Sequence, residues 1–253
     1  ELAARKREET AAALKKYLRA TGQKWVPDEE YALPPKARGF KGNARARAAI
    51  KKLGDDPKLA ALVVGVMKEL LRRNKEDLEG KCSVYDATAR AGIRGKGKGK
   101  GIRGKGIRGR VIGKYTGFAK NKAHRLRGHD NDKKRLVRGD LPARNVLCWE
   151  SASALAVLEG GDAEFVEVIG PEDGTGVSEH YGKACELVLI HLLGRMTIHG
   201  LGGCNMSAAS APMKYRRMIM NALRKKGSGV PDELQPGVAF VRDCLRCDEE
   251  VTP

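Results

Sequence analysis

With 253 residues the chain is long enough for one large core or two small ones, and 49 Lys and Arg against 31 Asp and Glu leave a formal net charge of +18, which points to a polyanionic or strongly acidic partner. Aromatics are only 5% of residues, and no uncharged apolar run reaches the roughly 18 residues a membrane-spanning helix needs, so the sequence reads as soluble, with no membrane partner. Six cysteines scattered through so long a chain argue for reduced thiols rather than a disulfide framework.

The first block, residues 1–89, reads as a basic helical region. A helix is expected over 2–20, with Leu14, Tyr17 and Leu18 on one stripe and Arg5, Lys6, Arg7, Lys15, Lys16 and Arg19 around the rest. The start at Glu1 without an initiator Met suggests a processed or truncated product. From Gly22 to Gly42, with Pro27, Pro34 and Pro35, the chain should be extended, and Asn43 to Leu53 should be a second basic helix ending at Gly54. Asp56 can cap the next helix and Pro57 suits its first position. Leu59, Leu62, Val63, Val66, Met67 and Leu70 then follow at core spacing, and Arg72, Arg73 and Lys75 suit its C-terminal dipole.

The second block, 90–138, holds eighteen Lys and Arg against two acids, Asp130 and Asp132. Its centre is a degenerate repeat in which Gly-Ile-Arg-Gly occurs three times between Gly92 and Gly109. Alternating glycine lets a backbone follow an irregular phosphate path, and Lys and Arg supply point charges and bidentate forks. Such a segment cannot bury a core and is expected to be extended, with little reason to fold alone. The Gly113 to Gly117 spacing departs from a Gly-x-x-Gly clamp, and neither a dinucleotide fingerprint nor a phosphate-binding loop ending is present.

The third block, 139–253, should be a compact mixed α/β domain with an acidic face. Between Asn145 and Gly182 there is no Lys or Arg but eight acids, Glu150, Glu159, Asp162, Glu164, Glu167, Glu172, Asp173 and Glu179. With no local counter-charge they should turn from phosphate toward neighbouring proteins. Expected elements are strands at Val146–Trp149, Phe165–Ile169, Met196–His199 and Val238–Val241. Helices are expected from Ser151, as cap, to Leu158, from Ser178 to about Leu193, and from Pro212 to Lys226. The fold class is therefore α+β, or α/β.

Candidate phosphate contacts are Arg94, Lys96, Lys98, Lys100, Arg103, Lys105, Arg108, Arg110, Lys114, Lys120, Lys122, Arg125, Arg127, Lys133, Lys134, Arg135 and Arg138, joined on a later helix by Lys214, Arg216 and Arg217. Only Tyr115 and Phe118 supply aromatics there, so phosphate contacts should outweigh base stacking. Cys244 and Cys247 form one C-x-x-C that, with His199 and Cys204, is a candidate zinc set. Cys204 ahead of a helix, near His180, His191 or His199, is a candidate thiolate. Asp130 and Asp132 could hold Mg²⁺ but sit where they would orient neighbouring arginines. No catalytic group or cofactor is assigned. These features describe a noncatalytic RNA-binding structural protein of a large ribonucleoprotein, such as a ribosome and in particular a mitochondrial one, with structured rRNA and neighbouring proteins as partners. The alternatives are a viral coat protein, in cytoplasm or virion, and a Cys- or metal-dependent nucleic-acid enzyme.

Overall fold

The computed structural model of the chain describes residues 5, 8–16, 43–74, 80–92, 109–138, 148–174, 176–205 and 210–247. In order they form a helix over 8–16 (α1), α2 (Ala44–Asp55), α3 (Pro57–Arg73), β1 (Ser83–Arg90), β2 (Val111–Ala119), α4 (Lys122–Arg138), α5 (Cys148–Leu158), β3 (Asp162–Ile169), α6 (Glu179–Leu192), α7 (Met213–Arg224) and α8 (Gln235–Cys247). The fold is mixed α+β. The expected link from Gly22 to Gly42, most of the glycine repeat and residues 139–147 lie outside the described residues.

Helix starts follow their caps. Asn43 Oδ1 accepts from the Ala46 amide at 3.0 Å, Asp56 Oδ1 from Lys58 at 2.8 Å, and Ser178 Oγ from Tyr181 at 3.3 Å, each satisfying an amide the helix itself leaves open. The three strands form one antiparallel sheet in the order β2-β1-β3, with Ala87 opposite both Tyr115 and Phe165. Because side chains alternate across a strand, Tyr85, Ala87 and Ala89 face one side, under α5 and the middle of α4, where Trp149, Ala152 and Ala156 pack on them. Val84 and Ile169 face the other side and join the main core of α2, α3, α6, α7 and α8. The sheet is thus sandwiched between two helical layers.

Three expected strands are helical instead, and the reason is the same each time: a four-residue apolar run does not reveal its period. Val238 and Val241 belong to α8, where with Leu245, and with Leu234 in the 3-10 turn just before it, they recur at helical spacing and are all buried. Cys148 and Trp149 open α5, so Ser151 lies inside that helix rather than capping it. Thr197–His199 is a 3-10 turn closed by Gly200 at φ +62°, and Met196 makes only an isolated bridge to Asn205.

The basic block differs most from expectation. Residues 109–138 are not an extension: they supply β2 and the 17-residue helix α4, which Asn121 caps by accepting from the His124 amide at 3.0 Å. The glycines of β2 have structural uses. A Cβ on Gly117 would lie 2.5 Å from the Tyr85 ring, and one on Gly113 would lie 2.6 Å from Ala152 and 2.7 Å from the Cys204 sulfur. The outer edge of β2 is capped without a fourth strand. Thr116 exchanges both backbone hydrogen bonds with the buried Asn205 side chain, at 3.0 and 2.7 Å, and the Phe118 amide donates to Glu186 at 3.0 Å.

Candidate nucleic-acid interface

β1 and β2 are the two arms of a hairpin, and the glycine repeat is what joins them. At its base the Ala91 amide donates to the Arg110 carbonyl at 2.9 Å. Gly109 comes so close that a Cβ there would overlap Ala91 O, while Gly92 lies against the Glu159–Gly160 turn. The chain therefore leaves the sheet at Gly92 and returns beside it at Gly109. The sixteen residues between carry Arg94, Lys96, Lys98, Lys100, Arg103, Lys105 and Arg108 and no acid; these seven candidates lie outside the described residues. The two ends of the repeat, Gly92 and Gly109, are thus held side by side at one end of this hairpin.

A second basic feature flanks that base. On α4 the exposed residues His124, Arg127, Asn131, Lys134, Arg135 and Arg138 recur three or four apart, forming one ridge. Lys133 and Lys134 both hold Asp130, at 3.1 and 2.7 Å, and the Lys134 hydrogen bond leads in drawing that carboxyl below its ordinary value. Asp130 thus orients lysines rather than arginines. No carboxylate among the described residues pairs with Arg127, Arg135 or Arg138. The C-terminal end of α4 packs through Leu136 on Leu14 and Ala154, and Lys15 meets Glu159 at 2.6 Å. Since Glu159 also touches Gly92, Arg135 and Arg138 lie at the hairpin-base end of the sheet.

Other candidate cations are committed to the fold. Lys114 donates to Gly54 O at 2.8 Å and to Asp55 at 2.7 Å. Lys120 pairs with Glu179 at 2.6 Å, and Lys122 bridges Glu167 at 3.3 Å and Glu172 at 2.7 Å. Hydrogen bonds from Lys120 and Lys183 hold the Glu179 carboxyl down at about 2. With Glu159 on Lys15, four of the eight carboxylates expected to lack local counter-charge have a lysine partner, which corrects that expectation, and Glu150 is buried beside His129. Exposed Asp162 and Glu164 remain on β3. On α7, Lys214 and Arg217 are exposed, Lys214 lying 5.3 Å from the Tyr215 ring centre, whereas Arg216 is half-buried and donates to Leu245 O at 3.3 Å.

A polar cluster that no sequence pattern announces lies under the α4 side of the sheet. The Tyr85 hydroxyl is 2.9 Å from His129 Nε2, and His129 Nδ1 is 3.5 Å from Glu150 Oε1, all three side chains buried. Tyr115 stacks on Trp149 with ring centres 5.6 Å apart. Burial of the Arg125 guanidinium works against its charge, but the nearby Tyr115 and Tyr85 phenols outweigh that and hold its pKa above the ordinary value. Burial pushes the Tyr85 and Tyr115 phenols up and the nearby Glu186 carboxyl up to about 7.

The cysteine and histidine candidates do not converge. Cys204 is buried against Cys148; their hydrogen bond and burial hold its thiol well above the ordinary value, the reverse of thiolate activation. His191 and His199 lie 5.6 Å apart, pushed down by burial to about 4 and about 3. Cys244 is buried on α8, and the Cys247 side chain lies outside what the structure describes. Among the described residues no three His, Cys, Asp or Glu side chains are grouped to hold a metal ion, and no helix is long and apolar enough to cross a membrane. Compared with known proteins, the chain matches no family, no curated protein and no solved structure.

Proposed function

We propose that this protein is a noncatalytic RNA-binding component of a large ribonucleoprotein, of the kind from which ribosomes, mitochondrial ones included, are built. The observation that carries the reading is the closed hairpin base between Ala91 and Arg110. It pins both ends of a sixteen-residue loop with seven cations and no acid. Concentrating like charge in one loop costs self-repulsion that a polyanion would offset. A loop tethered at both ends presents those cations as a unit, and the ridge of Arg127, Arg135 and Arg138, which have no carboxylate partner among the described residues, adds further positive charge. Glycine between the cations suits a path along phosphates more than a reading of base edges.

Fluorescence anisotropy with a labelled RNA stem-loop tests this. If all seven loop cations meet phosphates, log affinity should fall against log salt with a slope of about −5 to −6. Replacing residues 93–108 with Asn-Gly keeps the strands paired through a short turn and should weaken binding at least ~100-fold at moderate salt, with most of the slope lost. Unchanged affinity in the folded deletion variant overturns the reading, and light scattering that shows closed particles assembling around the RNA would favour a coat protein.

A further inference from the structure

We propose that the open edge of β3 is a docking edge for a basic, extended segment of a neighbouring protein, which joins the sheet as a fourth, antiparallel strand. The proposal stands on the sheet and does not depend on RNA binding.

Which backbone groups β3 leaves open follows from the opposite edge of the sheet. In β2 the main-chain groups of Lys114 and Thr116 point away from β1. The Lys114 amide donates to Gly202 O at 3.1 Å and its carbonyl accepts from the Cys204 amide at 2.7 Å, while Thr116 is bonded to the Asn205 side chain. Alternate residues of an antiparallel ladder turn their N–H and C=O toward opposite neighbours. Thr88 and Asp86, which face Lys114 and Thr116, therefore bond toward β3, where they meet Glu164 and Val166. Ala163 and Phe165 are left with their main-chain groups directed outward, on the side of β3 where the sheet ends. The Ala163 amide bears this out, since it donates to the adjacent Asp162 carboxylate at 2.7 Å instead of to a strand. The Phe165 N–H and the Ala163 and Phe165 carbonyls have no hydrogen-bond partner among the described residues. The edge is also held in shape, because the Ala163 and Phe165 side chains pack with Trp149, Ala152 and Ala156.

The side chains along this edge select what it takes. Asp162, Glu164 and Val166 alternate onto one face of β3 and are all exposed, Val166 by 50%. Neither carboxylate is in an ion pair among the described residues. Unlike charges directly opposed across strands stabilise a ladder and like charges oppose it, so two acids and an apolar side chain in a row fit a strand that presents two cations and an apolar residue. A second copy of this chain would bring its own Asp162 and Glu164 alongside these, and a phosphate backbone would meet the same repulsion. Charge on an edge guards a sheet against unwanted pairing; charge of this sign turns away acidic strands and admits basic ones.

The full-length protein and a labelled peptide, Thr-Val-Thr-Lys-Thr-Lys-Thr with blocked ends, test this by fluorescence anisotropy. Paired antiparallel, the peptide sets its valine opposite Val166, its lysines opposite Glu164 and Asp162, and its third and fifth residues opposite Phe165 and Ala163. Saturable binding is expected. N-methylating the third and fifth residues keeps the charge and removes two N–H donors to β3, so it should weaken binding at least ~10-fold, the scale of two hydrogen bonds. Joint Asp162→Lys and Glu164→Lys replacement, at two exposed positions and checked for folding by circular dichroism, should weaken the lysine peptide about tenfold and favour a peptide with Glu in place of Lys. No saturable binding at millimolar peptide overturns the proposal. Equal binding of the N-methylated peptide also overturns it, because charge alone would then explain the attraction. Sedimentation equilibrium without peptide covers the second copy: a dimer that Val166→Lys dissociates would put this chain in the edge and refute the basic partner. Weaker binding of the RNA stem-loop by the double Lys variant would assign the edge to RNA and refute it too.

Discussion

Glu186 gives the most direct test of the electrostatics of this fold. Its carboxylate is buried at the edge of β2, accepts from the Phe118 amide at 3.0 Å, and is pushed from the usual 4.5 up to about 7, burial outweighing the opposing hydrogen bond and the Arg125 and Lys183 charges. For an acid whose folded pKa is raised, the folded state holds the proton more tightly. The stability this group contributes is then fully present below pH 4.5 and is lost as pH rises through 7. A displacement of that size corresponds to about 3 kcal/mol by pH 8. Glu186→Gln keeps an oxygen for Phe118 and cannot ionise. It should be nearly neutral at pH 5 and stabilising by up to about 3 kcal/mol at pH 8, a rise in Tm of about 6–12 °C for a chain of this size. Urea denaturation at the two pH values reads both numbers. An equal effect at pH 5 and pH 8 would refute a buried, proton-holding carboxylate.

Acid should act oppositely through His191 and His199, which stay neutral when folded down to about 4 and about 3. Because the unfolded chain takes up their protons first, each removes up to about 1.4 kcal/mol of stability per pH unit as pH falls from 6.5, and denaturation of Glu186→Gln, with its opposing term gone, should show a steeper loss between pH 6.5 and 4.5 than wild type. Charge reversal should distinguish two partners of Lys122: Glu167, whose side chain is 5% exposed, and Glu172, 70% exposed. By thermal denaturation Glu167→Lys should cost about 3–5 kcal/mol and Glu172→Lys less than about 1.

Legibility tracked how local each signal is. Asp56-Pro57 and Ser178 mark helix starts within one turn, and the α3 stripe from Leu59 to Leu70 repeats often enough to fix its period, so these elements were readable. Val238–Val241 was too short to choose between periods, and it became helical because Leu234 and Leu245 extend the stripe on both sides. β1 and β2 were hidden differently. Asp86 and Lys114 break the apolar alternation, and both are satisfied only from far along the chain, Asp86 by Arg195 at 2.7 Å and Lys114 by Asp55 at 2.7 Å. The Tyr85, Arg125, His129 and Glu150 cluster likewise draws on β1, α4 and α5, which only the folded sheet brings together.

The charge asymmetry of the sequence therefore has two uses once the chain is folded. Toward the Ser83 end of the sheet, Lys120 and Lys122 neutralise Glu167, Glu172 and Glu179. Carboxylates that would repel a phosphate backbone are thus matched by the basic block itself. Toward the Arg90 end the balance differs, because the loop between Gly92 and Gly109 has no acid and Arg135 and Arg138 have no carboxylate partner among the described residues. A net charge of +18 spread evenly would attract RNA without orienting it. Pairing the cations at one end, while Arg135 and Arg138 at the other have no carboxylate partner among the described residues, gives the described part of the molecule an electrostatic direction.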